Sequence, residues 1–443
     1  MSKRDNESIS GALTAATCTL LGSTIIAPVQ AQEDPAQEDP GWDFNTSFLF
    51  YGEDGDRVND YSLMLLARRT LIDDRFLTLG LTVDTLTGAT PSGAIRLDEA
   101  QTFTQPSGSG AKTIPAGELP LDDTFRDIRA AFTVNWQQPL GRLYQVNGGV
   151  SASLEYDYTH FGVNGRISRD FNKRNTTLSA GLALARDRLD PEGGTPIPLA
   201  PLLDVGDSSN KLGHETKDVF DVVLGVTQIV SREMLVQLNY SFSKSSGYLT
   251  DPYKILSVVD SITGDTLPRF PPPAAGQGPS HEYRFESRPD ERTKHSLFAQ
   301  TKYYMGGKVL DASYRYMTDD WDIDSHTLDL RYRWPIGSGG YLEPHLRYYV
   351  QNEAEFYQIS LVDGQPLPQF ASADYRLGDF NAITAGLKYG WTTRNGNDMS
   401  IRIELYQQDG TIPAGQLIGN QVGREEYPDL DALIVQFGYR FSK

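Results

Sequence analysis

From Trp42 onward the chain is written in stretches of about ten residues in which apolar and polar side chains alternate, each closed by a turn signal. Alternation of period two gathers the apolar set on one face of a strand. From Tyr144 to Asp157, one face carries Tyr144, Val146, Gly148, Val150, Ala152, Leu154 and Tyr156; the other carries Gln145, Asn147, Gly149, Ser151, Ser153, Glu155 and Asp157. Tyrosines close both ends of the apolar row. A strand with lipid on one face, water on the other and aromatics at both interfaces reads this way.

The pattern recurs over 125–137, where Ile128, Ala130, Phe132, Val134 and Trp136 share the outward face, and over 176–184, 309–317, 327–334, 341–351, 383–389, 399–406 and 433–441. Weaker examples lie at 43–51, 58–68, 75–84, 158–169, 217–229, 232–243 and 294–304. This predicts an all-β fold: a transmembrane, antiparallel, up-and-down β-barrel of about sixteen strands filling residues 42–443. An even strand number returns both ends of the chain to the same side of the membrane.

Loop lengths test this independently. The long connections (85–123, 188–216, 244–292, 352–378 and 408–430) are the third, seventh, ninth, thirteenth and fifteenth. All are odd. The even connections are short, as at Pro139-Leu140-Gly141, Met305-Gly306-Gly307 and Arg394-Asn395-Gly396-Asn397. Short periplasmic turns and long extracellular loops sort in this manner. Leu433, Val435, Phe437, Tyr439 and Phe441 then alternate to within two residues of the end, resembling the aromatic final strand that the outer-membrane insertion machinery reads.

Upstream, Lys3 and Arg4 precede an apolar run from Gly11 to Val29, and Val29-Gln30-Ala31 has the small-residue spacing of a cleavage site. Residues 1–31 are therefore expected to be an export signal that takes the single cysteine, Cys18, with it. Residues 32–41 are acidic and proline-rich and are expected to form a flexible periplasmic tail. The expected location is the outer membrane of a Gram-negative bacterium, in contact with its lipid and lipopolysaccharide.

A net charge of −18 argues against a nucleic-acid partner, because phosphate binding needs clustered Lys and Arg. The 23 Tyr and 41 Gly among 443 residues suit strands and turns more than helices. No Gly-rich phosphate loop precedes a helix. Ser325 and His326 are adjacent and point to opposite faces of a strand, so no nucleophile–base pair is apparent and no enzyme is expected. No cofactor is expected beyond a divalent cation.

Two constellations stand out. None of the six histidines pairs with another at the spacing of a preformed zinc site. In an extended segment, however, Asp320, Asp322, Asp324 and His326 project one way and are candidates for a calcium-type site; the competing reading is a solvated acidic hairpin tip. Strand parity also sorts charges onto the lumen: Asp311 and Arg315 on the eleventh strand, Asp329, Arg331 and Arg333 on the twelfth, and Glu343, His345 and Arg347 on the thirteenth. The fifteenth adds Arg402 and Glu404, and the sixteenth Arg440. Signs alternate along this wall. It reads either as a salt-bridge ladder that stiffens the barrel or as a transverse field that selects solutes.

Six stretches carry a family resemblance: Leu81 to Ala94 (LTVDTLTGATPSGA), Asp170 to Leu178 (DFNKRNTTL), Gly247 to Ser257 (GYLTDPYKILS), Arg288 to His295 (RPDERTKH), Tyr314 to Thr327 (YRYMTDDWDIDSHT) and Leu342 to Tyr357 (LEPHLRYYVQNEAEFY). Together they resemble the proteobacterial outer-membrane family Domain of Unknown Function 3570 (DUF3570). Where that family commonly has glycine after Asp-Asp-Trp, this chain has Asp322. The resemblance implies an outer-membrane barrel without an established substrate. Genes for a thioredoxin-like protein, a small lipoprotein and a flavin transferase tend to lie near those of the family, which implies a periplasmic redox or lipoprotein partner. The function expected is a channel or transport barrel for small solutes or ions. Its rival is a non-conducting structural or docking barrel for such a partner.

Overall fold

The computed structural model describes residues 41–443, apart from residues 56, 338 and 425 and the side chains of residues 123–126 and 414. The export signal expected over 1–31, and all of the acidic tail expected over 32–41 except Gly41, lie outside the described residues.

Sixteen antiparallel strands close into one barrel. They are β1 (Trp42–Glu53), β2 (Asn59–Leu71), β3 (Arg75–Pro91), β4 (Leu121–Leu140), β5 (Tyr144–Leu154), β6 (Tyr158–Phe171), β7 (Thr176–Leu189) and β8 (Glu215–Ile229). There follow β9 (Met234–Gly247), β10 (Glu291–Met305), β11 (Lys308–Asp319), β12 (Asp324–Ile336), β13 (Gly340–Gln351), β14 (Asp379–Thr392), β15 (Asp398–Thr411) and β16 (Leu430–Ser442). The seam pairs β1 with β16, Phe44 opposite Phe441, and Trp42 and Lys443 exchange backbone hydrogen bonds of 2.7 and 2.8 Å. With the seam paired, no strand edge is left open to lipid, which a bilayer requires of any sheet that crosses it.

The alternation read from the sequence sets which face is wet. Ile128, Phe132, Leu182, Leu224, Leu297, Leu387 and Leu405 are exposed on the outside of the barrel, where only lipid can cover so much apolar surface. At the short-turn end, aromatics stack into a girdle: Trp42 on Phe44, Phe44 on Phe441, and Tyr389 on Trp391. Cations lie over rings at the same end, Arg68 over Phe76 at 4.0 Å and Lys308 over Trp334 at 5.4 Å.

At the other end, β3 and β4 run on to Pro91 and from Leu121 and stand above any lipid belt. A 20-residue strand such as β4 is roughly 65 Å long, far more than a tilted crossing uses. The five long loops do not dangle from this end; they fold together. Residues 255–259 pair antiparallel with 283–285 and parallel with 360–362, joining the β9–β10 and β13–β14 loops in one small sheet. The β3–β4 loop joins through Ile95 N–H to Ser257 Oγ (3.1 Å), the β7–β8 loop through Leu202 N–H to Tyr283 O (2.9 Å), and the β15–β16 loop through Gln421 Nε2 to Gly264 O (2.8 Å). Leu256, Val259 and Ala371 are completely buried in this cap. The cap also enters the mouth, since Tyr375 and Tyr427 of the loops pack on the inward-facing Tyr349, Phe380, Ala382 and Tyr406. At the proline-rich tip of the β9–β10 loop, Pro271 and Pro272 are exposed.

Candidate functional site

The luminal wall forms at mid-height, around the centre of β13. His345 lies between two carboxylates: its Nε2 is 3.0 Å from Asp329 Oδ2 on β12, and its Nδ1 is 2.7 Å from Glu404 Oε1 on β15. Reaching β15 from β13 means passing over β14, and the residue of β14 in register with both His345 and Glu404 is Gly386. A side chain there would block the bridge. Below this row, Arg402 connects Glu404 (3.3 Å) with Glu343 (3.6 Å), and Arg333 also approaches Glu343 at 3.6 Å. Arg331 lies 3.3 Å from Asp329, and Arg347 faces Asp329 across the β12–β13 ladder.

The remaining residues predicted for the wall sit farther out. Asp311 binds Lys302 (3.3 Å) and accepts a hydrogen bond from Gln300 (2.7 Å), both on β10, while Arg315 lies over the Phe298 ring at 5.6 Å. Arg440 stands across the ladder from Asp398, near the short-turn end. The acids and His345 are largely buried against the wall, whereas Arg333, Arg347 and Arg440 are exposed to the lumen. The wall is thus a ladder of ion pairs with arginines left exposed along it.

Because Gly386 is the gap in the row, Gly386→Val is expected to push Glu404 away from His345. A Cβ at that position would stand 2.4 Å from Glu404 Cγ and 2.8 Å from the Ile403 carbonyl oxygen, and the second clash is with backbone. Overpacking of this kind costs about 1–3 kcal/mol. Urea unfolding of the barrel in lipid vesicles measures it; an unchanged midpoint would show that the glycine is not needed for clearance.

The expected site of Asp320, Asp322, Asp324 and His326 is corrected. The segment is not extended throughout: Asp322 turns left-handed (φ 62°), in the position where glycine costs least, so the four side chains do not line up. Each is exposed. Asp320 accepts from Thr293 N–H (2.8 Å), Asp324 from Tyr316 Oη (2.9 Å), and His326 Nδ1 bonds Tyr314 Oη (2.7 Å). The organising carboxylate is Asp319, which accepts from the Trp321 and Ile323 amides at 3.0 Å and pairs with Arg292 at 2.5 Å.

Two networks escaped the sequence reading. One lies near the external ends of β5–β8, on the far side of the lumen: Ser151 Oγ is 3.1 Å from His160 Nε2, and His160 Nδ1 is 2.7 Å from Asp187 Oδ1. That is the spacing of nucleophile, base and orienting acid. Asp187, however, is also held by Lys217 at 2.9 Å and by the Tyr158 hydroxyl. Ser151 sits within paired ladders on both sides, so its amides are engaged rather than free to bind an oxyanion. The arrangement does the work of a buried charge network. His160 and Lys217 lie inside the predicted strands 158–169 and 217–229, and parity would have marked Asp187 as luminal beside them had the 176–184 stretch been followed to Leu189.

The second network lies in the cap. Arg288 binds Glu286 (2.5 Å) and Asp374 (2.7 Å), while Arg376 binds Asp251 (2.7 Å) and Asp374 (2.5 Å). Lys254 donates to Pro91 O at 2.5 Å and to Thr90 Oγ1 at 3.2 Å, anchoring the network to the end of β3. Burial pushes the Glu286 carboxyl up and the Lys254 ammonium down. Burial would raise Asp374 as well, but Arg376 and Arg288 hold it far below the usual carboxylate range. Pro91, Asp251, Lys254, Arg288, Trp321 and Ala354 all fall in stretches that carry the family resemblance. Those motifs meet where the cap joins the barrel.

A family model described as "Protein of unknown function (DUF3570)" matches residues 10–441. The chain belongs to the DUF3570 family. No curated protein matches this DUF3570 chain. Among solved structures, it is similar to a bacterial polysaccharide outer membrane secretin (TM-score 0.42, 9% identity, covering 90% of this chain and 97% of that one). It is also similar to the outer membrane protein OprD from Pseudomonas aeruginosa (0.38, 10%, 92% and 94%) and to CdiB from Acinetobacter baumannii (0.43, 9%, 91% and 60%).

Proposed function

We propose that this DUF3570 protein is an outer-membrane barrel of a Gram-negative bacterium that passes small solutes or ions through a narrow, charged bore and catalyses nothing. The observation that carries this reading is the mid-height row Asp329–His345–Glu404, with carboxylates held in place and arginines beside them open to water. Fixed opposite charges at a constriction sort solutes by charge and dipole. The acidic exterior would draw cations to the mouth.

A second reading has its own observation. The cap enters the mouth and buries an apolar core, which suits a non-conducting sleeve or a dock for a periplasmic redox protein or lipoprotein. Planar-bilayer recording separates the two. The channel reading expects small, cation-preferring steps that grow when residues 355–372 of the β13–β14 loop are replaced by a short Gly-Ser linker. Silence from both proteins, each verified as folded by heat-modifiable migration, would refute conduction and leave the sleeve.

A further inference from the structure

We propose that Asp127, Glu155 and Asp157 form a calcium-type cation site at the external rim of the barrel. The expectation from alternation that β5 continues to Tyr156 is not met: the strand ends at Leu154, opposite Ala130 of β4. The chain then turns tightly, Glu155 N–H donating to Tyr158 O at 2.8 Å. This turn brings Glu155 and Asp157 over Asp127, and one ligand oxygen from each of the three lies within 4.8 Å of the others. Among the described residues, no other group of three or more His, Cys, Asp or Glu is so gathered.

Acidic residues alone do not make a site, and here the hydrogen bonding supplies the further observation. Asp157 is 3% exposed, and its Oδ2 is taken by the Tyr253 hydroxyl. Its Oδ1 is buried with no hydrogen-bond partner, and so is Glu155 Oε1. Asp127 Oδ1 accepts from Ile128 N–H at 2.7 Å, which orients that carboxylate. Arg129, close by, is engaged with Asp84 at 2.5 Å. Two buried carboxylate oxygens without donors, beside a third carboxylate, are costly while charged, and a cation held between them offsets that cost. The ligands are all oxygen, which favours a hard cation over zinc or copper. They come from a tight turn and one strand, an irregular geometry that calcium accepts more readily than magnesium does.

The position adds a consequence. Tyr253 belongs to the β9–β10 loop, so an ion held by Asp157 would brace the cap against the rim.

Terbium luminescence tests this on the full-length barrel, refolded in detergent and stripped with EDTA. Tyr253, bonded to Asp157, stands close enough to sensitise a bound ion. Emission should rise with terbium and be displaced by calcium with an affinity on the order of 10⁻⁴–10⁻³ M, as in extracellular calcium modules. Glu155→Gln and Asp157→Asn, made separately so that one misfolded variant does not decide the result, should each weaken binding by at least about tenfold, whereas Asp320→Asn/Asp324→Asn should not. Emission that calcium fails to displace, or that survives in a folded Glu155→Gln or Asp157→Asn barrel, would overturn the site.

Discussion

Replacing Arg288 by alanine is expected to destabilise the cap by about 3–5 kcal/mol while leaving the barrel intact, because it strips one partner from two buried carboxylates. Glu286 and Asp374 are fully buried, and Arg288 bonds both. Asp374 retains Arg376, at 2.5 Å. Glu286 retains only neutral donors, the Asp251 amide at 2.6 Å and the Ser372 hydroxyl. The deficit should therefore fall mainly on Glu286 and depend on pH. Burial already raises its carboxyl, and removing Arg288 takes away the charge that opposes the rise. A carboxyl raised on folding binds more protons folded than unfolded, so stability recovers as pH falls through its folded value. The penalty in Arg288→Ala should thus shrink as pH falls from neutral toward the ordinary carboxylate range. Asp374, held far below that window, stays charged throughout and contributes no slope in it. Hydrogen exchange over 251–259 and 283–288, with the barrel ladders as internal control, measures both effects. Protection unchanged from wild type would show that the cap does not depend on this ion cluster.

The barrel could be read from the sequence because its rule is local. Period-two alternation and turn residues placed all sixteen strands, and parity placed Asp329, His345 and Glu404 on the same wet face. Which of them touch was not legible. His345 reaches Glu404 only because the registers of β13, β14 and β15 bring Gly386 between them, and register across three strands is not written in any one of them. The cap was less legible still. Ile95 meets Ser257, and Gln421 meets Gly264, across separations that no periodic pattern announces. The acidic hairpin misled for the opposite reason: the alternation of 320, 322, 324 and 326 was real, but Asp322 breaks the extended geometry that would have made it meaningful.

Wall and cap divide the lumen by height. The acids of the wall are fixed by neighbours on adjoining strands and change only if a strand moves. The cap is fixed by loops reaching across the mouth, held by contacts that can be loosened without breaking a barrel ladder. On the channel reading proposed above, the wall would decide what passes and the cap how much. Loosening the cap should then change conductance far more than selectivity.

Trp321→Ala tests that division. Trp321 is 4% exposed and packs with Ile323, Ala354, Tyr357, Ile359 and Leu377, so it fastens the β11–β12 hairpin to the β13–β14 loop. Phe356 meets its ring edge-on at 5.1 Å, Arg292 lies over its face at 4.3 Å, and its indole N–H donates to Glu291 O at 2.9 Å. Truncating a buried tryptophan in such a cluster costs about 3–5 kcal/mol. The Arg292–Asp319 pair and the backbone bonds of the turn remain, so the hairpin should stay folded while residues 354–377 lose protection from exchange. Arg288→Ala should deprotect 283–288 as well, which Trp321→Ala should not, because the Trp321 partners named above lie outside that segment. In bilayers, the tryptophan variant should show larger current steps than wild type with the same reversal potential in a salt gradient. A cap loosened by exchange but unchanged in conductance would show that the loops do not set the current, and a shifted reversal potential would place part of the charge filter in the cap rather than in the wall.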